Sequence, residues 1–421
     1  MKKLDSKEPG FEKELAQILK ERSRTTAKVE QTIKKIFAET EKNREKALIG
    51  FAKKFDGFKG SVRDLKVSQK EIDAAEKKLS TAQIAAIRLA KKRIEKFHRL
   101  QKPKGYRIKE ADGFLEERWI PLSRVGIYVP AGKAPLASTV LMTAIPARLA
   151  GVKEIAIATP AGPDNKIHPA ILFAAKLNGV KEIYRVGGAQ AIAAFALGAG
   201  PVKKVDKIFG PGGAFVAAAK VYAQSQGLCG IDTLAGPSEI LILSDGSVPA
   251  EFAAADLSAQ LEHGSTSWAF LVSASKKYID QVLAQKIHRG KNLVFILARN
   301  IKEMIALSNR IAPEHLEVHL RNPESVINKL TSAPAIFIGP FSPVALGDYI
   351  AGTNHSLPTA GRGVFDSPLG VWDFMKRQSL CKISKDLVKK LASPASTFAL
   401  LEGLSEHSKS LEIRADKLKR R

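Results

Sequence analysis

A short sequence unit that occurs twice places the strongest limit on how this chain can fold. The pentapeptide GVKEI begins at Gly151 and again at Gly179, each time at the head of a short apolar stretch. Each stretch ends in a Gly-rich turn that leads into an Ala-rich helix, and VKKVDKIFGPGG follows the same plan. Such alternation is typical of a parallel sheet covered by helices. The sequence therefore predicts an α/β fold with ligands bound beyond the carboxyl ends of the strands.

Length and composition are those of a globular protein. The chain has 421 residues, of which 45% are hydrophobic and 26% charged, enough for a sizeable core and two or more domains. The first residues, MKKLDSKEPGFEKEL, carry charges throughout, so they do not resemble a secretory signal. No apolar run is long enough to span a bilayer. We expect a cytoplasmic, soluble protein.

The cysteines and the net charge allow two further expectations. Cys229 and Cys381 stand far apart without a ligand motif, so we expect two buried apolar thiols and no cysteine metal site. The formal charge of +25 raises the hypothesis of nucleic-acid binding. The lysines are scattered over amphipathic helices without a recognition motif, which favours a solvated basic surface. A salt-dependent shift of labelled DNA would distinguish the two.

The two ends of the chain are predicted to be helical. Apolar residues recur at spacings of three and four from Phe11 to about residue 100, with a break at residues 55–61. His98 lies on a charged helix in this region and is expected at the surface. From Trp372 the tail reads as helical and basic, and it has no obvious local core to pack against.

The stretch Ile231–Gly264 combines a Gly-Pro turn, a buried strand and a helix. Pro249 marks the start of the helix and Gly264 its end. Asp256, Gln260 and His263 are spaced four and three apart, which places them on one side of this helix. Taken alone, a Gln and a His at this spacing are more often a polar helix edge than metal ligands.

Three more clusters make a functional site the better interpretation. They are APEH at 312–315, a Gly- and Pro-rich loop at 347–363, and EGLSEH at 402–407. Functional loops tolerate such compositions, whereas core packing does not. With these motifs the chain resembles histidinol dehydrogenases from about Arg124 to its C-terminus.

The resemblance implies a metal site and an acid/base pair. Four side chains match the family's zinc ligands: Gln260, His263, Asp348 and His407. Zinc has no redox chemistry, so it would position the substrate. Glu314 and His315 match the catalytic pair, with His315 accepting the alcohol proton and Glu314 activating water for the second oxidation.

The resemblance also implies NAD as cofactor. The turns in VGGAQ and FGPGG place glycines at helix starts that favour anions, but neither is a complete dinucleotide fingerprint, and tight turns without a ligand are about equally expected. Tyr128, Gln190 and Gly213 match the family's NAD-contacting positions. The family usually has Asn where this chain has Gly213, so one side-chain contact to the cofactor is missing.

Substrate contacts follow in the same way. The matching residues are Ser238, Gln260, His263, Glu314, His315, Asp348, His355, Glu402 and His407. Without the resemblance, Ser238 reads as a turn cap, His355 as a loop residue and Glu402 as a surface carboxylate. His168, His288 and His319 match nothing and are expected to be ordinary loop or strand residues.

The family's architecture implies a division of the chain into two Rossmann-like, three-layer domains with two appendages. These are a helical arm (1–22), a discontinuous α/β domain with the metal and catalytic residues (23–127 and 237–369), an NAD-binding domain (128–236) and a helical tail (370–421). A homodimer with exchanged tails is expected. The predicted activity is NAD-dependent oxidation of L-histidinol through the aldehyde to L-histidine, the end of histidine biosynthesis. The alternative is a zinc- and NAD-dependent relative acting on another alcohol. Neither a nucleic-acid nor a membrane partner is expected.

Overall fold

A computed structural model describes residues 1–22, 27–110, 113–131, 135–233, 236–288 and 290–419. Residue 23, where the predicted α/β domain begins, and Ala235 of the predicted Gly-Pro turn lie outside these residues. The strands are β1 (Lys2–Asp5), β2 (Tyr106–Glu110), β3 (Gly113–Pro121), β4 (Arg124–Tyr128), β5 (Glu154–Thr159), β6 (Glu182–Arg185), β7 (Lys207–Phe209), β8 (Gly230–Ile231), β9 (Glu239–Ser244), β10 (Trp268–Ser273), β11 (Leu293–Leu297), β12 (His315–His319), β13 (Ala335–Ile338) and β14 (Met375–Lys382).

The α-helices alternate with these strands through most of the chain. They are α1 (Phe11–Glu21), α2 (Ala27–Asp56), α3 (Gln69–Ala74), α4 (Thr81–His98), α5 (Ala137–Ala150), α6 (Pro169–Leu177), α7 (Gly188–Leu197), α8 (Ala214–Ser225), α9 (Ala250–Glu262), α10 (Lys276–Leu283), α11 (Ile301–Ile311), α12 (Glu324–Ile327), α13 (Val344–Tyr349), α14 (Lys385–Leu401) and α15 (Ser405–Lys419). Helix α2 is interrupted at Arg44, whose φ of 41° is not helical. In the described part of the chain, no helix has the length and apolar character that crossing a bilayer requires.

The chain forms two compact units, and the larger one contains both parallel sheets. It comprises residues 1–102 and 122–374. Its six-stranded sheet has the order β1-β11-β10-β9-β12-β13, and its five-stranded sheet the order β6-β5-β4-β7-β8. In the six-stranded sheet the chain runs from β9 outward to β10 and β11, and then continues on the other side of β9 with β12 and β13. In the five-stranded sheet it runs from β4 outward to β5 and β6, and then continues on the other side of β4 with β7 and β8. The α/β class predicted from the repeated units is confirmed.

Helices cover both faces of the six-stranded sheet. On one face α1 and α11 bury Leu15, Ile18 and Met304 against the strands. On the other face α9 contributes Ala253, Leu257 and Leu261, the apolar stripe that its sequence predicts. This three-layer arrangement fixes α9 directly above β9 and β10.

The five-stranded sheet is formed by the repeated units. Helices α7 and α8 pack on one face together with α2, whose residues Ile33 and Phe37 join the same core. Strand β4 lies between β5 and β7, so the strand order reverses beside it. A crevice at such a reversal is the usual ligand position in an open parallel sheet.

The smaller unit comprises residues 103–121 and 375–421. Strands β14, β3 and β2 form its antiparallel sheet, and α14 packs against α15. The expectation of a helical tail from Trp372 is wrong for β14. This strand pairs with β3 along its whole length, from Met375 with Pro121 to Lys382 with Phe114. Those partners lie too far away in sequence to leave a local pattern.

Three other expectations also need correction. The predicted helical arm begins with a strand, β1, which pairs with β11 at the edge of the six-stranded sheet. His98 is fully buried at the end of α4 rather than exposed. Cys381 is exposed and Cys229 half-buried, so neither is a fully buried core thiol, and both are unpaired.

Candidate active site

Glu314 is held at the amino end of the six-stranded sheet by the turn that precedes β9. Its Oε2 accepts hydrogen bonds from Ser238 Oγ at 2.6 Å and from the backbone N–H of Glu239 at 2.8 Å. The side chain is buried, and burial raises the pKa of the Glu314 carboxyl, although His315 and Ser238 act in the opposite direction. A buried carboxylate with a raised pKa is a stronger proton acceptor than an exposed one.

His315 is the first residue of β12 and is only 3% exposed. Its Nδ1 lies 3.0 Å from the carbonyl oxygen of Glu239, which can only accept a hydrogen bond. The neutral ring therefore carries its proton on Nδ1 and leaves the lone pair on Nε2. This buried Nε2 has no hydrogen-bond partner and lies 3.6 Å from Asp348 Oδ1.

The carboxylates around His315 determine its proton affinity. Burial acts to lower the pKa of His315, but Glu314, Asp348 and the Glu239 carbonyl together raise it above its usual value. Glu314 Oε2 lies 3.5 Å from Nδ1. The arrangement of carboxylate, imidazole and carboxylate is suited to moving protons at Nε2.

Asp348 and His355 lie on α13 and on the loop that follows it. The Nδ1 atom of His355 is 2.9 Å from the backbone oxygen of Asp348, so the loop folds back on the helix. Burial lowers the pKa of His355, which favours the neutral ring. The predicted functional loop therefore brings two of the predicted residues to the first residue of β12.

Helix α4 holds the loop that follows α13 through hydrogen bonds from its side chains. Asn354 Nδ2 lies 3.1 Å from His98 Nε2 and donates to the carbonyl of Met142 at 2.7 Å. Arg93 donates to the carbonyls of Ile350 and Ala351. His98 is therefore a buried support for the residue next to His355, and the surface position expected from its charged helix is wrong.

Gln260 and His263 lie at the end of α9, as their spacing predicts. Gln260 is 3% exposed and its Nε2 has no partner, whereas His263 follows the last helical residue and is exposed. His263 is among the groups that act to lower the pKa of His355. With His407 as the predicted fourth ligand, the Gln260 amide, the His263 imidazole and the Asp348 carboxylate form a donor set that suits zinc.

The remaining predicted ligand and one predicted substrate contact belong to the smaller unit. His407 lies on α15 and Glu402 directly after α14, and both are exposed. The larger unit by itself thus joins Ser238, Glu314, His315, Asp348 and His355, with Gln260 and His263 on α9. It provides three of the four predicted metal ligands.

A second group of titratable side chains, of which two are buried and Asp256 is half-buried, was missed in the sequence. Within the described residues, Asp256, Glu317 and His319 offer ligand atoms that all lie within 4.8 Å of one another. The signal was present in HLEVH, because His315, Glu317 and His319 alternate along a strand and so share one face. His319 is therefore a buried member of a polar cluster.

The predicted cofactor residues lie at the carboxyl end of the five-stranded sheet. Tyr128 is the last residue of β4, and its hydroxyl accepts a hydrogen bond from the N–H of Gly188 at 3.1 Å. Asp56, at the end of α2, accepts from the N–H of Gly187 at 2.8 Å and from Gln190 Nε2 at 3.2 Å. The start of α7 is thus occupied by a carboxylate of the protein itself, which the sequence did not predict.

The turn after β7 is the more open of the two predicted anion sites. A Cβ on Gly210 would lie 2.1 Å from the Tyr128 carbonyl oxygen, so this turn requires glycine where it passes β4. Asp232 accepts from the Gly210 N–H at 2.7 Å and pairs with buried Lys220, which holds the turn from behind. A Cβ on Gly213 would meet nothing within 4 Å. This turn therefore has open space beside position 213.

A buried ion pair supports the strand that carries the site. Arg22 Nη1 lies 3.0 Å from Glu239 Oε2, and Arg22 Nη2 donates to the carbonyl of Ile311 at 2.8 Å. Burial raises the pKa of Glu239 to about 7 even though Arg22 opposes the shift. The backbone N–H of Glu239 binds Glu314, and its carbonyl contacts His315. The Arg22–Glu239 ion pair therefore holds in place the residue whose backbone orients both catalytic candidates.

Comparison with known proteins gives consistent matches over the whole chain. A family profile described as histidinol dehydrogenase matches residues 19–415. A histidinol dehydrogenase of Geobacter metallireducens is 41% identical over 430 residues, 98% of this chain and 98% of that protein. One of Neisseria gonorrhoeae is 40% identical over 98% of this chain and 100% of that protein. The crystal structure of histidinol dehydrogenase from Elizabethkingia anophelis has a TM-score of 0.92 at 36% identity and covers 100% of this chain and 99% of its own.

Proposed function

This chain belongs to the histidinol dehydrogenase family, and from that premise we propose that it oxidises L-histidinol through L-histidinaldehyde to L-histidine in two NAD-dependent steps. It is an oxidoreductase of histidine biosynthesis. One observation carries the proposal. The buried Nε2 of His315 has a free lone pair, because the Glu239 carbonyl fixes the ring proton on Nδ1.

In the first step we assign the proton transfer to His315. Oxidation of an alcohol releases the hydroxyl proton as hydride leaves the same carbon, and Nε2 is the acceptor for that proton. The carboxylates of Glu314 and Asp348 stabilise the imidazolium that results. Ser238 and the backbone of Glu239 keep Glu314 in place during the transfer.

In the second step we assign the activation of water to Glu314. The aldehyde has no hydride to lose until water adds to its carbonyl carbon, and that addition requires a base to take the water proton. A buried carboxylate whose pKa is raised by burial can take it. His315, once it has released its first proton to solvent, accepts the remaining hydroxyl proton of the hydrated aldehyde as the second hydride departs, and the product is a carboxylate.

Zinc is the metal that the donor set fits best. Gln260, His263 and Asp348 of the larger unit would hold it together with His407, and the buried position of Gln260, whose amide oxygen would be the ligand, supports this assignment. When bound, zinc supplies Lewis acidity without redox chemistry, and it would position and polarise the substrate. Histidinol offers an imidazole and an amine as ligands, which favours this substrate over an alcohol without nitrogen donors.

NAD is proposed to bind at the carboxyl end of the five-stranded sheet. Tyr128, Gln190 and the turn ending at Gly213 lie there, and that turn has the space that a cofactor needs. When bound, NAD accepts the hydride from the carbon that is oxidised. The missing Asn side chain at position 213 leaves the contact at this point to the backbone alone.

Assembly and location extend the proposal. We propose a homodimer, because α14 and α15 expose Phe398, Leu401 and Ile413 at 61%, 81% and 58%. The division into an arm, two α/β domains and an exchanged tail belongs to the same proposal. Two unpaired cysteines suit a reducing compartment such as the cytoplasm.

The stoichiometry of the reaction tests the proposed function. We expect two NADH for each L-histidinol consumed, because one site carries out both oxidations. The measurement is NADH absorbance together with chromatographic quantitation of histidinol and histidine, with amino alcohols that lack an imidazole as comparison substrates. One NADH per histidinol, or faster turnover of another alcohol, would contradict the proposal.

The metal assignment gives a second prediction. Purified protein is expected to contain about one zinc per subunit, and His263→Ala to lose most of it because one of four ligands is removed. Metal content by mass spectrometry checks this, with His288→Ala as the control, because His288 is also exposed but lies outside the proposed set. Full activity in metal-free protein would remove the basis for the assignment.

A further inference from the structure

A row of buried polar side chains runs along β12 beneath α9. His315, Glu317 and His319 are 3%, 0% and 1% exposed and project from the same face of the strand. The first of them is the proposed base, but the other two take no part in the proposed chemistry. Fully buried carboxylates are costly unless they are hydrogen-bonded, so Glu317 needs a structural account.

One oxygen of Glu317 caps helix α13. Oε1 accepts a hydrogen bond from the N–H of Val344, the first residue of that helix, at 2.8 Å. Pro343, which precedes it, makes no side-chain cap, so Glu317 supplies the acceptor that the helix start lacks. Helix α13 carries Asp348. Glu317 therefore connects the strand of His315 directly to the helix of Asp348.

The other oxygen of Glu317 faces α9 and His319. Oε2 lies 3.3 Å from His319 Nε2, and ligand atoms of Asp256, Glu317 and His319 are all within 4.8 Å. Burial and then the charge and hydrogen bond of Glu317 raise the pKa of Asp256 to about 8. Glu317 Oε2 is buried and has no hydrogen-bond partner of its own, and it lies close enough to the Asp256 carboxyl for the two groups to share a proton.

Asp256 lies one helical turn before Gln260 on α9. The two carboxyls therefore lie where three elements meet, and each element carries one group of the proposed site: Gln260 on α9, His315 on β12 and Asp348 on α13. We infer that Asp256 and Glu317 are positioning residues, whose carboxyls share one proton and so hold these three elements in one arrangement. The inference rests on the proposed function in taking those three residues as the site.

Paired substitutions separate hydrogen bonding from packing. Asp256→Asn keeps a donor toward Glu317, whereas Asp256→Leu has a similar volume and no donor. Glu317→Gln keeps an acceptor for the Val344 N–H, whereas Glu317→Met does not. Asp280→Asn, on the exposed side of α10, serves as the control for removing one carboxylate from a helix. Circular dichroism shows which variants are folded.

Hydrogen exchange is the first measurement, because it requires neither metal nor substrate. Amides of residues 344–349 are expected to exchange about fivefold faster in Glu317→Met, the factor expected for loss of one capping hydrogen bond. They are also expected to exchange faster than in the wild type in Asp256→Leu, because Glu317 then loses the group that shares its proton. The Asn and Gln variants should stay within about twofold of the wild type. Unchanged exchange in folded Leu and Met variants would overturn the inference, as would equally fast exchange in the Asn and Gln variants.

Zinc affinity is the second measurement, by competition with a chromophoric chelator. The Leu and Met variants are expected to bind zinc about tenfold more weakly, the size of effect typical for residues that orient metal ligands. A wild type without zinc would remove the metal from the proposed function, yet the exchange data would still decide this inference. Two zinc ions per wild-type subunit, with one lost in Asp256→Asn, would make the carboxyl pair a metal site and overturn it.

Discussion

Glu314→Gln is expected to lower oxidation of L-histidinaldehyde by about 10²- to 10⁴-fold while oxidation of L-histidinol falls much less. The amide keeps the shape of the side chain and can still contact Ser238, but it cannot take a proton from water. In a rapid-mixing experiment the variant should form one NADH per site in a burst and then turn over slowly. The wild type should reach two NADH without such a pause.

His315→Ala separates the two roles, because both steps deliver a proton to Nε2. Here we expect losses of about 10²- to 10⁴-fold in both half-reactions, measured with histidinol and with the aldehyde as starting substrate. His288→Ala is the control for loss of an exposed histidine that has no role in the proposed reaction. Small and equal losses in both half-reactions of the Glu314 and His315 variants would show that these roles are wrong.

Mixed dimers are expected to recover about a quarter of wild-type activity from two inactive parents. If the tails are exchanged, each site combines Gln260, His263 and Asp348 of one subunit with the other subunit's copy of His407. A dimer of one His263→Ala and one His407→Ala chain then has one site with both defects and one with none. Random reassociation makes about half of the dimers mixed, and half of their sites are intact.

The experiment requires dissociation and reassociation of the two variants, with differently tagged chains so that mixed dimers can be purified and counted. Each variant, taken alone through the same procedure, is the control. If each tail serves its own chain, every site in the mixed dimer keeps one defect. No recovered activity in verified mixed dimers would therefore rule out exchange.

The sequence predicted those parts of the fold that local patterns encode. The repeated GVKEI units are βα units of the five-stranded sheet, and the apolar stripe of α9 is buried where its spacing places it. Strands β1 and β14 were missed because their partners, β11 and β3, lie hundreds of residues away. The residue pattern within β1, which has four residues, or within β14, which has eight, does not reveal such distant pairing.

In the site too, the sequence predicted contacts between residues close in the chain and did not predict contacts between distant ones. Gln260 and His263 could be placed on one helix from their spacing, whereas the approach of His315 to Asp348 was implied only by family resemblance. Asp56, Arg22 and Glu317 were missed because each acts through a partner far along the chain or on another element. Their roles depend on tertiary packing, which residue type and spacing do not reveal.

The pairing of β1 with β11 determines the order in which the two sheets can be completed. Lys2 pairs with Val294, so β1 leaves the ribosome nearly three hundred residues before its partner strand does. At about 5–20 residues per second, that delay lasts at least some fifteen seconds. All strands of the five-stranded sheet lie between Arg124 and Ile231, so it is complete earlier. A nascent chain thus passes through a stage in which the strands of the five-stranded sheet are all present while β1 has no partner strand. During that stage β1 is the segment that a chaperone would protect.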